Sequence, residues 1–271
     1  MAARRSPIIN VMEKAARKAA RGLVRDFGEV ENLQVSVKGP ADYVSEADRR
    51  AERTIRAELE QSRPGVGFLM EEAGEAAGEN ADERWVIDPL DATTNFLHGI
   101  PHFCISIAFE RAREPIAGIV YDPLRDEMFW AEKGIGAYVN DRRLRVSARR
   151  RLADAVLATG IPFGARPGKD PFVAALRRVM DETAGVRRFG SAALDLAYVA
   201  AGRFDGFWET GLSPWDVAAG VVLVREAGGF VTDLAGGNEM IYGDSILAAN
   251  PALHEPMRRL LGEAMDAATR G

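Results

Sequence analysis

Two aspartates stand close together in residues 85–95, which read WVIDPLDATTN. The apolar residues 85–87 predict a short buried strand that ends at Asp88, where Pro89 should stop it. Asp91 would then share a tight turn with Asp88, and residues 93–95 suit the start of a helix. Carboxylate oxygens bind hard cations such as Mg²⁺, and free backbone N–H groups at a helix start bind phosphate. The segment therefore predicts phosphate-ester chemistry.

The same segment also fits a plain structural interpretation. Asp and Pro are ordinary turn formers, so Asp88 could be a turn residue and Asp91 a helix cap in a strand–turn–helix connection. Acids elsewhere in the chain decide between the two interpretations. Asp48, Glu71 and Asp216 each fall at a predicted strand end or helix start, and such ends can meet at one rim. Crowded carboxylates repel one another unless divalent cations neutralise them, so convergence would imply a metal.

Short predicted elements would position the acids of the first half. A helix with Ser45 as its N-cap would carry Asp48 in its first turn, at the positive end of the helix dipole. An apolar strand over residues 67–70 would deliver Glu71, with Glu72 beside it. The polar residues 73–84 read as a surface loop after that strand.

The pattern of elements divides the chain into two halves. Strands over residues 103–109, 116–121, 127–131 and 136–139 predict an antiparallel meander. A basic turn follows, and beyond it strands alternate with helices, as in α/β proteins. We expect an N-terminal α+β half, residues 1–140, and a C-terminal α/β half, residues 141–271. In the second half, Pro214 would open the helix that carries Asp216.

The composition is that of a globular protein of 271 residues, with 47% hydrophobic and 28% charged residues. The net charge of −5 argues against a direct nucleic-acid binder. Cys104 is the only cysteine, and the histidines lack zinc-ligand spacing, so we expect no disulfide and no zinc site. Because no apolar run reaches the roughly 18 to 20 residues of a membrane span and no secretory signal is evident, we expect a cytoplasmic protein without membrane contact.

Four groups of residues occur in the order and spacing of the signature motifs of the inositol monophosphatase family. They are residues 42–48 (DYVSEAD), 71–72 (EE), 88–96 (DPLDATTNF) and 214–220 (PWDVAAG). Residues 190–197 (GSAALDLA) and the GIGA run from Gly134 also fit, particularly to bacterial members. The sequence resembles this family across nearly its whole length. The resemblance implies an α+β sugar-phosphatase fold with layers in the order α-β-α-β-α, similar to that of fructose-bisphosphatases.

The resemblance also implies a site that holds about two or three Mg²⁺ ions. Its ligands would be Glu71, Asp88, the backbone carbonyl of Leu90, Asp91 and Asp216. By the same comparison, the catalytic residues that position or activate the attacking water are Asp48, Thr93 and Glu71. Lys38 matches a family lysine near a mobile loop of the metal site.

Substrate-binding roles follow from the same resemblance. The backbone N–H groups of Ala92 and Thr93 would hold the phosphate. The residues expected to line the inositol pocket are Gly190, Ser191, Ala192, Glu209 and Asp216.

Position 92 departs from the family pattern, which usually has Gly after the second Asp. If the backbone there needs a positive φ, Ala92 costs on the order of 1 kcal/mol or more, whereas helical dihedrals would make it nearly harmless. We expect reduced rather than abolished activity.

The expected function is Mg²⁺-dependent hydrolysis of myo-inositol 1-phosphate by a lithium-sensitive homodimer, as the resemblance implies. Related substrates remain open, namely fructose 1,6-bisphosphate, histidinol phosphate and 3′-phosphoadenosine 5′-phosphate, because pocket loops vary on a common catalytic frame. A third alternative is a dimeric regulatory or interaction protein that has kept the fold.

Overall fold

The computed structural model describes residues 5–29, 35–39 and 42–270, with the backbone alone at 35–39, 42–45 and 269–270. The side chain of Lys38 therefore lies outside the described residues, as does the predicted cap at Ser45. The helices are α1 (Pro7–Phe27), α2 (Glu46–Ser62), α3 (Thr93–Leu97), α4 (Lys169–Glu182), α5 (Ala192–Ala200), α6 (Pro214–Glu226) and α7 (His254–Arg270). None of these described helices is long and apolar enough to span a bilayer.

The strands form a hairpin and two larger sheets. The hairpin is β1 (Val35–Gly39) with β2 (Asp42–Ser45). The next strands are β3 (Val66–Met70), β4 (Gly74–Ala76), β5 (Asn80–Asp91), β6 (Cys104–Arg111), β7 (Glu114–Asp122), β8 (Glu127–Glu132), β9 (Gly136–Val139) and β10 (Arg142–Arg143). The last are β11 (Val156–Thr159), β12 (Gly185–Arg187), β13 (Gly206–Thr210), β14 (Phe230–Thr232) and β15 (Ser245–Ala249).

The first large sheet has the order β10-β9-β8-β7-β6-β5-β3-β4. Its strands are antiparallel except for the parallel pair β3 and β5, so the predicted meander from β6 to β9 is confirmed. The second sheet has the order β12-β11-β13-β15-β14, with parallel pairs on both sides of β11. The pairs of β15 with β13 and with β14 are antiparallel.

Helices and sheets alternate in five layers. Helices α1 and α2 cover one face of the large sheet with a core that includes Met12, Ile55 and Trp85. Helices α5 and α6 lie between the two sheets, and α4 and α7 cover the outer face of the smaller sheet. This α-β-α-β-α order confirms the predicted fold class. Because α6 packs on strands of the large sheet, the two sequence halves share one buried layer.

Two predictions about local structure were wrong. Pro89 does not end the strand, because β5 continues to Asp91. On the partner strand, Ser106 pairs with Asp88 and Cys104 pairs with Asp91, so β5 carries an extra residue in a bulge. A bulge is one of the few places in a sheet that tolerate Pro, which has no N–H for the ladder. The predicted turn between the two aspartates is this bulge.

Residues 73–84 are not a surface loop throughout. They contain the edge strand β4 and the exposed start of β5, which begins at Asn80. Their polar composition is that of a short, solvent-facing sheet edge, where charged side chains discourage pairing with another chain.

Candidate active site

The site begins where two parallel strands end side by side. Met70 of β3 pairs with Ile87 of β5, and the N–H of Glu71 donates to the Ile87 carbonyl at 3.2 Å. Glu71 and Asp88 are the next residues on these two strands. The parallel pairing therefore brings both carboxylates to the same sheet edge.

The bulge in β5 directs Asp88, Leu90 and Asp91 into this edge. The side chain of Asp88 accepts the Leu90 N–H at 3.0 Å, which fixes the turn of the backbone. Asp88 is 2% exposed and Asp91 is 8% exposed. Two nearly buried carboxylates and one backbone carbonyl thus come from four consecutive residues.

Asp48 reaches the same edge from the first turn of α2. The hydroxyl of Thr93 lies 3.3 Å from Asp48 Oδ2 and 3.0 Å from the Leu90 carbonyl oxygen. A hydroxyl has one proton, so it donates to one of these oxygens at a time. The pair Thr93 and Asp48 joins two segments that are far apart in sequence.

Carboxylate oxygens of Asp48, Glu71 and Glu72 lie within 4.8 Å of one another. Asp48 is buried, the two glutamates are partly buried, and Arg49 lies 3.8 Å from Glu72. Oxygen donors grouped this closely suit a hard divalent cation.

Asp216 enters from the first turn of α6, where the N–H of Ser213 donates to its Oδ2 at 2.7 Å. Two glycines allow α6 to approach its neighbours closely. A Cβ at Gly118 of β7 would lie 2.7 Å from the Ala219 backbone, and a Cβ at Gly220 would lie 2.4 Å from Leu196. This close packing seats the N-terminus of α6 against the sheet edge that carries the other acids.

The carboxylates of the cluster repel one another. Burial raises the pKa of Asp88 well above its usual range, and the charges of Glu71, Asp91 and Asp216 raise it further. The pKa of Asp216 is also raised well above its usual range, by burial first and then by Asp91. A bound cation would remove this repulsion, so the donor set fits a divalent metal ion.

Asp91 accepts several hydrogen bonds on one of its oxygens. Oδ2 accepts the Ser191 hydroxyl at 2.6 Å and the Ala193 N–H at 2.9 Å, and the Cys104 thiol lies 3.8 Å away. Burial raises the pKa of Asp91, and these donors oppose that rise. Asp91 also borders the cavity.

Ala92 adopts φ 72° and ψ 47°, the left-handed conformation, at the N-terminus of α3. Positive φ is the case in which Ala, unlike Gly, is strained. Ala92 therefore has the positive φ under which alanine was expected to cost more than glycine.

These residues border a cavity of about 460 Å³. Its lining includes Glu71, Asp88, Leu90, Asp91, Ala92, Thr93, Gly190, Glu209 and Asp216. Asp48 lies behind Thr93. Within residues 190–192, Gly190 borders the cavity, whereas Ser191 is fully buried and Ala192 is 7% exposed.

Glu209 sits against Gly160, where a Cβ would lie only 1.8 Å from Glu209 Oε1. The carboxyl group of Glu209 fits here because Gly160 has no side chain. Burial and the charge of Asp91 raise the pKa of Glu209 to about 7, against the opposing effect of Arg188 and Arg166. Glu209 therefore exchanges its proton near neutral pH.

Sequence reasoning missed several residues of the cavity wall. They are Thr94, Asn95, Ile161, Phe163, Arg166 and Arg188. Thr94 and Asn95 had been considered only as helix-start residues. The two arginines are solvent-exposed, so their type and spacing carry no signal that separates them from ordinary surface residues.

Comparison with known proteins agrees with this geometry. The model of the inositol monophosphatase family matches residues 4–266. A Mesorhizobium japonicum protein named inositol-1-monophosphatase is 57% identical over 263 residues, which cover 97% of this chain and 99% of that protein. Escherichia coli Nus factor SuhB is 45% identical over 251 residues, covering 93% and 94% of the two chains.

The fold has been seen before in solved structures. The crystal structure of extragenic suppressor protein suhB from Bartonella henselae superposes with a TM-score of 0.92 at 58% identity, covering 94% of this chain and 98% of that one. An inositol monophosphatase from Anabaena superposes with a TM-score of 0.82 at 35% identity, covering 95% and 96%. The chain belongs to the inositol monophosphatase family.

Proposed function

We propose that this protein is a Mg²⁺-dependent phosphomonoesterase that hydrolyses myo-inositol 1-phosphate to inositol and phosphate. The observation that carries the proposal is the convergence of acids from three separate segments, at Glu71, Asp88 to Asp91 and Asp216, on one cavity, with Asp48 joined to it through Thr93. Relatives that are 54% to 57% identical and named inositol-1-monophosphatase support the choice of substrate.

The metal would be held by Glu71, Asp88, the Leu90 carbonyl, Asp91 and Asp216. The fit rests on the crowding of buried carboxylates, which raises the pKa of Asp88 and Asp216 when no cation compensates them. When bound, Mg²⁺ supplies Lewis-acid stabilisation of the phosphoryl and leaving-group oxygens and lowers the pKa of water.

The chain's own residues bind the ester and direct the attacking water. In this proposal the backbone N–H groups of Ala92 and Thr93, at the start of α3, hold the phosphate. Thr93 and Asp48 orient the water, and Asp48 accepts its proton. Glu209 and Asp216 accept hydrogen bonds from polyol hydroxyl groups on the other side of the ester.

Phosphate release from inositol 1-phosphate, with and without Mg²⁺, tests the proposal. Asp91→Asn should lose the magnesium-dependent rate. Asp126→Asn, which changes an exposed acid paired with Arg17 on the surface, should keep it. Equal release without Mg²⁺, or full activity of the Asp91 variant, would contradict the proposed chemistry.

A substrate panel separates the related phosphatases. Fructose 1,6-bisphosphate, histidinol phosphate and 3′-phosphoadenosine 5′-phosphate should each give a lower kcat/KM than inositol 1-phosphate. A preference for one of them would support the proposed metal-dependent chemistry but assign a different substrate.

A regulatory role is the second candidate function, and relatives named Nus factor SuhB favour it. They are 44% to 48% identical to this chain. Affinity capture with the Asp91→Asn variant would expose partners that bind independently of catalysis. Finding no specific partner would weaken this candidate.

We also propose that the protein is a cytoplasmic homodimer, on the strength of its family resemblance. Sedimentation equilibrium gives the oligomeric state directly. A monomer at micromolar concentration would contradict the dimer.

A further inference from the structure

The turn that carries Glu71 is held by two neighbouring elements. Residues 71–73 form this turn, between β3 and β4. The N–H of Glu71 donates to the Ile87 carbonyl of β5 at 3.2 Å. The N–H of Glu72 donates to Oε2 of Glu52, on α2, at 2.8 Å. Strand β5 therefore fixes the turn on one side, and helix α2 fixes it on the other.

Glu52 is a buried acid of α2, and its side chain is 4% exposed. Burying a carboxyl group costs free energy unless the group is hydrogen-bonded, and a backbone N–H removed from water needs an acceptor. The contact between Glu52 and Glu72 satisfies both groups. It ties the helix to the middle of the turn, next to Glu71.

Asp48 lies one helical turn before Glu52. Residues four apart in an α-helix share a face, so both acids are directed towards the same turn. Carboxylate oxygens of Asp48, Glu71 and Glu72 accordingly lie within 4.8 Å of one another. Helix α2 also reaches the side chain of Glu72 through Arg49, at 3.8 Å. The distance between Asp48 and Glu71 thus depends on how α2 packs against the turn.

We propose that Glu52 is a positioning residue, which holds Glu71 at the distance from Asp48 that the metal-dependent hydrolysis requires. In this role Glu52 acts through the backbone of Glu72 and touches neither substrate nor metal. The inference rests on the proposed function, in which Glu71 binds Mg²⁺ and Asp48 accepts a proton from the attacking water. A residue that orients a metal ligand typically contributes about tenfold or more to metal affinity or to activity.

Two variants of Glu52 separate its hydrogen bond from its charge. Glu52→Gln keeps an oxygen acceptor at the same reach and removes the charge, whereas Glu52→Asp keeps the charge and shortens the side chain by a methylene group. The dissociation constant for Mg²⁺ should stay within about threefold of the wild-type value in Glu52→Gln and rise about tenfold in Glu52→Asp. Thermal denaturation at increasing Mg²⁺ concentration gives this constant without substrate.

The rate of hydrolysis should follow the same order. At saturating Mg²⁺, Glu52→Asp should lower kcat for inositol 1-phosphate about tenfold, because Asp48 and Glu71 are no longer held at the required distance. KM should change little, since the proposed phosphate contacts lie at the start of α3 and Glu209 lies on β13. A residue that served only the stability of the fold would not produce this split between kcat and KM.

Glu58 provides the matched control. It is another buried glutamate of α2, 5% exposed, and it forms an ion pair with Lys14 of α1 at 3.0 Å. Glu58→Asp shortens the side chain in the same way, so it should lower the melting temperature. The dissociation constant for Mg²⁺ and kcat should both keep their wild-type values in this variant.

The opposite order of affinities, with Glu52→Asp close to the wild type and Glu52→Gln weakened, would overturn the positioning role and assign an effect of charge. Wild-type values in both variants, or an equal loss in both, would overturn it as well. These outcomes leave the proposed function intact, because the wild-type protein still binds Mg²⁺ and releases phosphate. A wild-type protein that binds no Mg²⁺ would contradict the proposed function itself, and the inference would fall with it.

Discussion

The hydroxyl of Ser191 donates to Oδ2 of Asp91 at 2.6 Å, across an interval of 100 residues. The same hydroxyl oxygen accepts the Leu194 N–H at 3.3 Å, as the N-cap of α5. Since the Ser191 proton is directed to Asp91, the serine joins the start of α5 to the bulge in β5. Its contact, with that of the Ala193 N–H on the same oxygen, orients the carboxylate of Asp91 at the edge of the cavity.

Removing the Ser191 hydroxyl should weaken the binding of Mg²⁺ at the site. We expect Ser191→Ala to lower the free energy of unfolding by about 1 to 3 kcal/mol, because a buried acceptor loses a partner. It should also raise the Mg²⁺ concentration needed for half-maximal activity. Chemical denaturation and a magnesium titration of activity measure the two effects.

Cys104→Ala is the comparison for Ser191→Ala, since it removes a weaker donor to the same oxygen, 3.8 Å away. It should change the magnesium requirement less than Ser191→Ala does. Ser191→Thr, which keeps a hydroxyl group, should restore most of the magnesium response. An unchanged requirement in Ser191→Ala would show that the contact does not orient Asp91.

Replacing Ala92 with Gly should stabilise the protein. The residue has φ 72°, and the left-handed conformation costs a non-glycine residue about 1 to 2 kcal/mol, part of which the greater freedom of Gly in the unfolded chain offsets. We expect a gain on the order of 1 kcal/mol in the free energy of unfolding and equal or higher turnover. Chemical denaturation and steady-state kinetics measure these quantities.

Ala112 provides the matched control, because it also has a positive φ, 51°, but lies in the turn between β6 and β7. Ala112→Gly should stabilise the protein without changing turnover. A lower turnover in Ala92→Gly would mean that the methyl group at position 92 helps to place the substrate.

Neutralising Asp88 should raise the stability of the metal-free protein and weaken its binding of metal. In the absence of metal, Asp88→Asn relieves repulsion by Glu71, Asp91 and Asp216, so its melting temperature should rise above that of the wild-type protein. Mg²⁺ should stabilise the wild-type protein by binding its folded state, and the variant should respond weakly or not at all. Thermal denaturation with and without Mg²⁺ gives both comparisons.

Asp126→Asn serves again as the control, because it removes a surface charge and should leave the response to Mg²⁺ intact. A metal-free Asp88→Asn protein that melts below the wild type would contradict the electrostatic argument.

Glu209 should make the metal-free protein less stable as the pH rises from about 5 to 7. Its pKa is raised to about 7 in the folded state, from the usual 4.5, so the folded state binds more protons than the unfolded state over this interval. The derivative of the free energy of unfolding with respect to pH is then negative, and the contribution levels off above the folded pKa. Urea denaturation at several pH values measures this slope.

Glu209→Gln should make the slope between pH 5 and 7 shallower. Glu263→Gln, at an exposed position of α7, should leave the slope unchanged. If both variants follow the wild-type curve, the proton exchange of Glu209 lies outside this interval.

The type of chemistry followed from short-range patterns. Asp48 and Asp216 lie in the first turns of helices, and Asp88 follows the apolar residues 85–87 of β5; local patterns identify all three positions. The start of such a helix depends on nearby residues, as the start of α6 depends on Pro214. The resemblance of the motifs to the family implied the layers of the fold, and the departure from the family pattern at position 92 was visible without coordinates.

Tertiary structure decided what depends on pairing between distant segments. The register of β5 against β6 turned the expected stop at Pro89 into a bulge, because the hydrogen bonds of β6 extend the strand past the proline. Ser191 contacts Asp91, and the guanidinium of Arg188 lies between Phe163 and Gly190. Local sequence patterns do not predict contacts of this kind. The sequence alone determined which residues carry charge and where the helices that carry Asp48 and Asp216 begin. Packing between those elements set the hydrogen bonds that Asp91 accepts, the conformation of Ala92 and which surface arginines border the cavity.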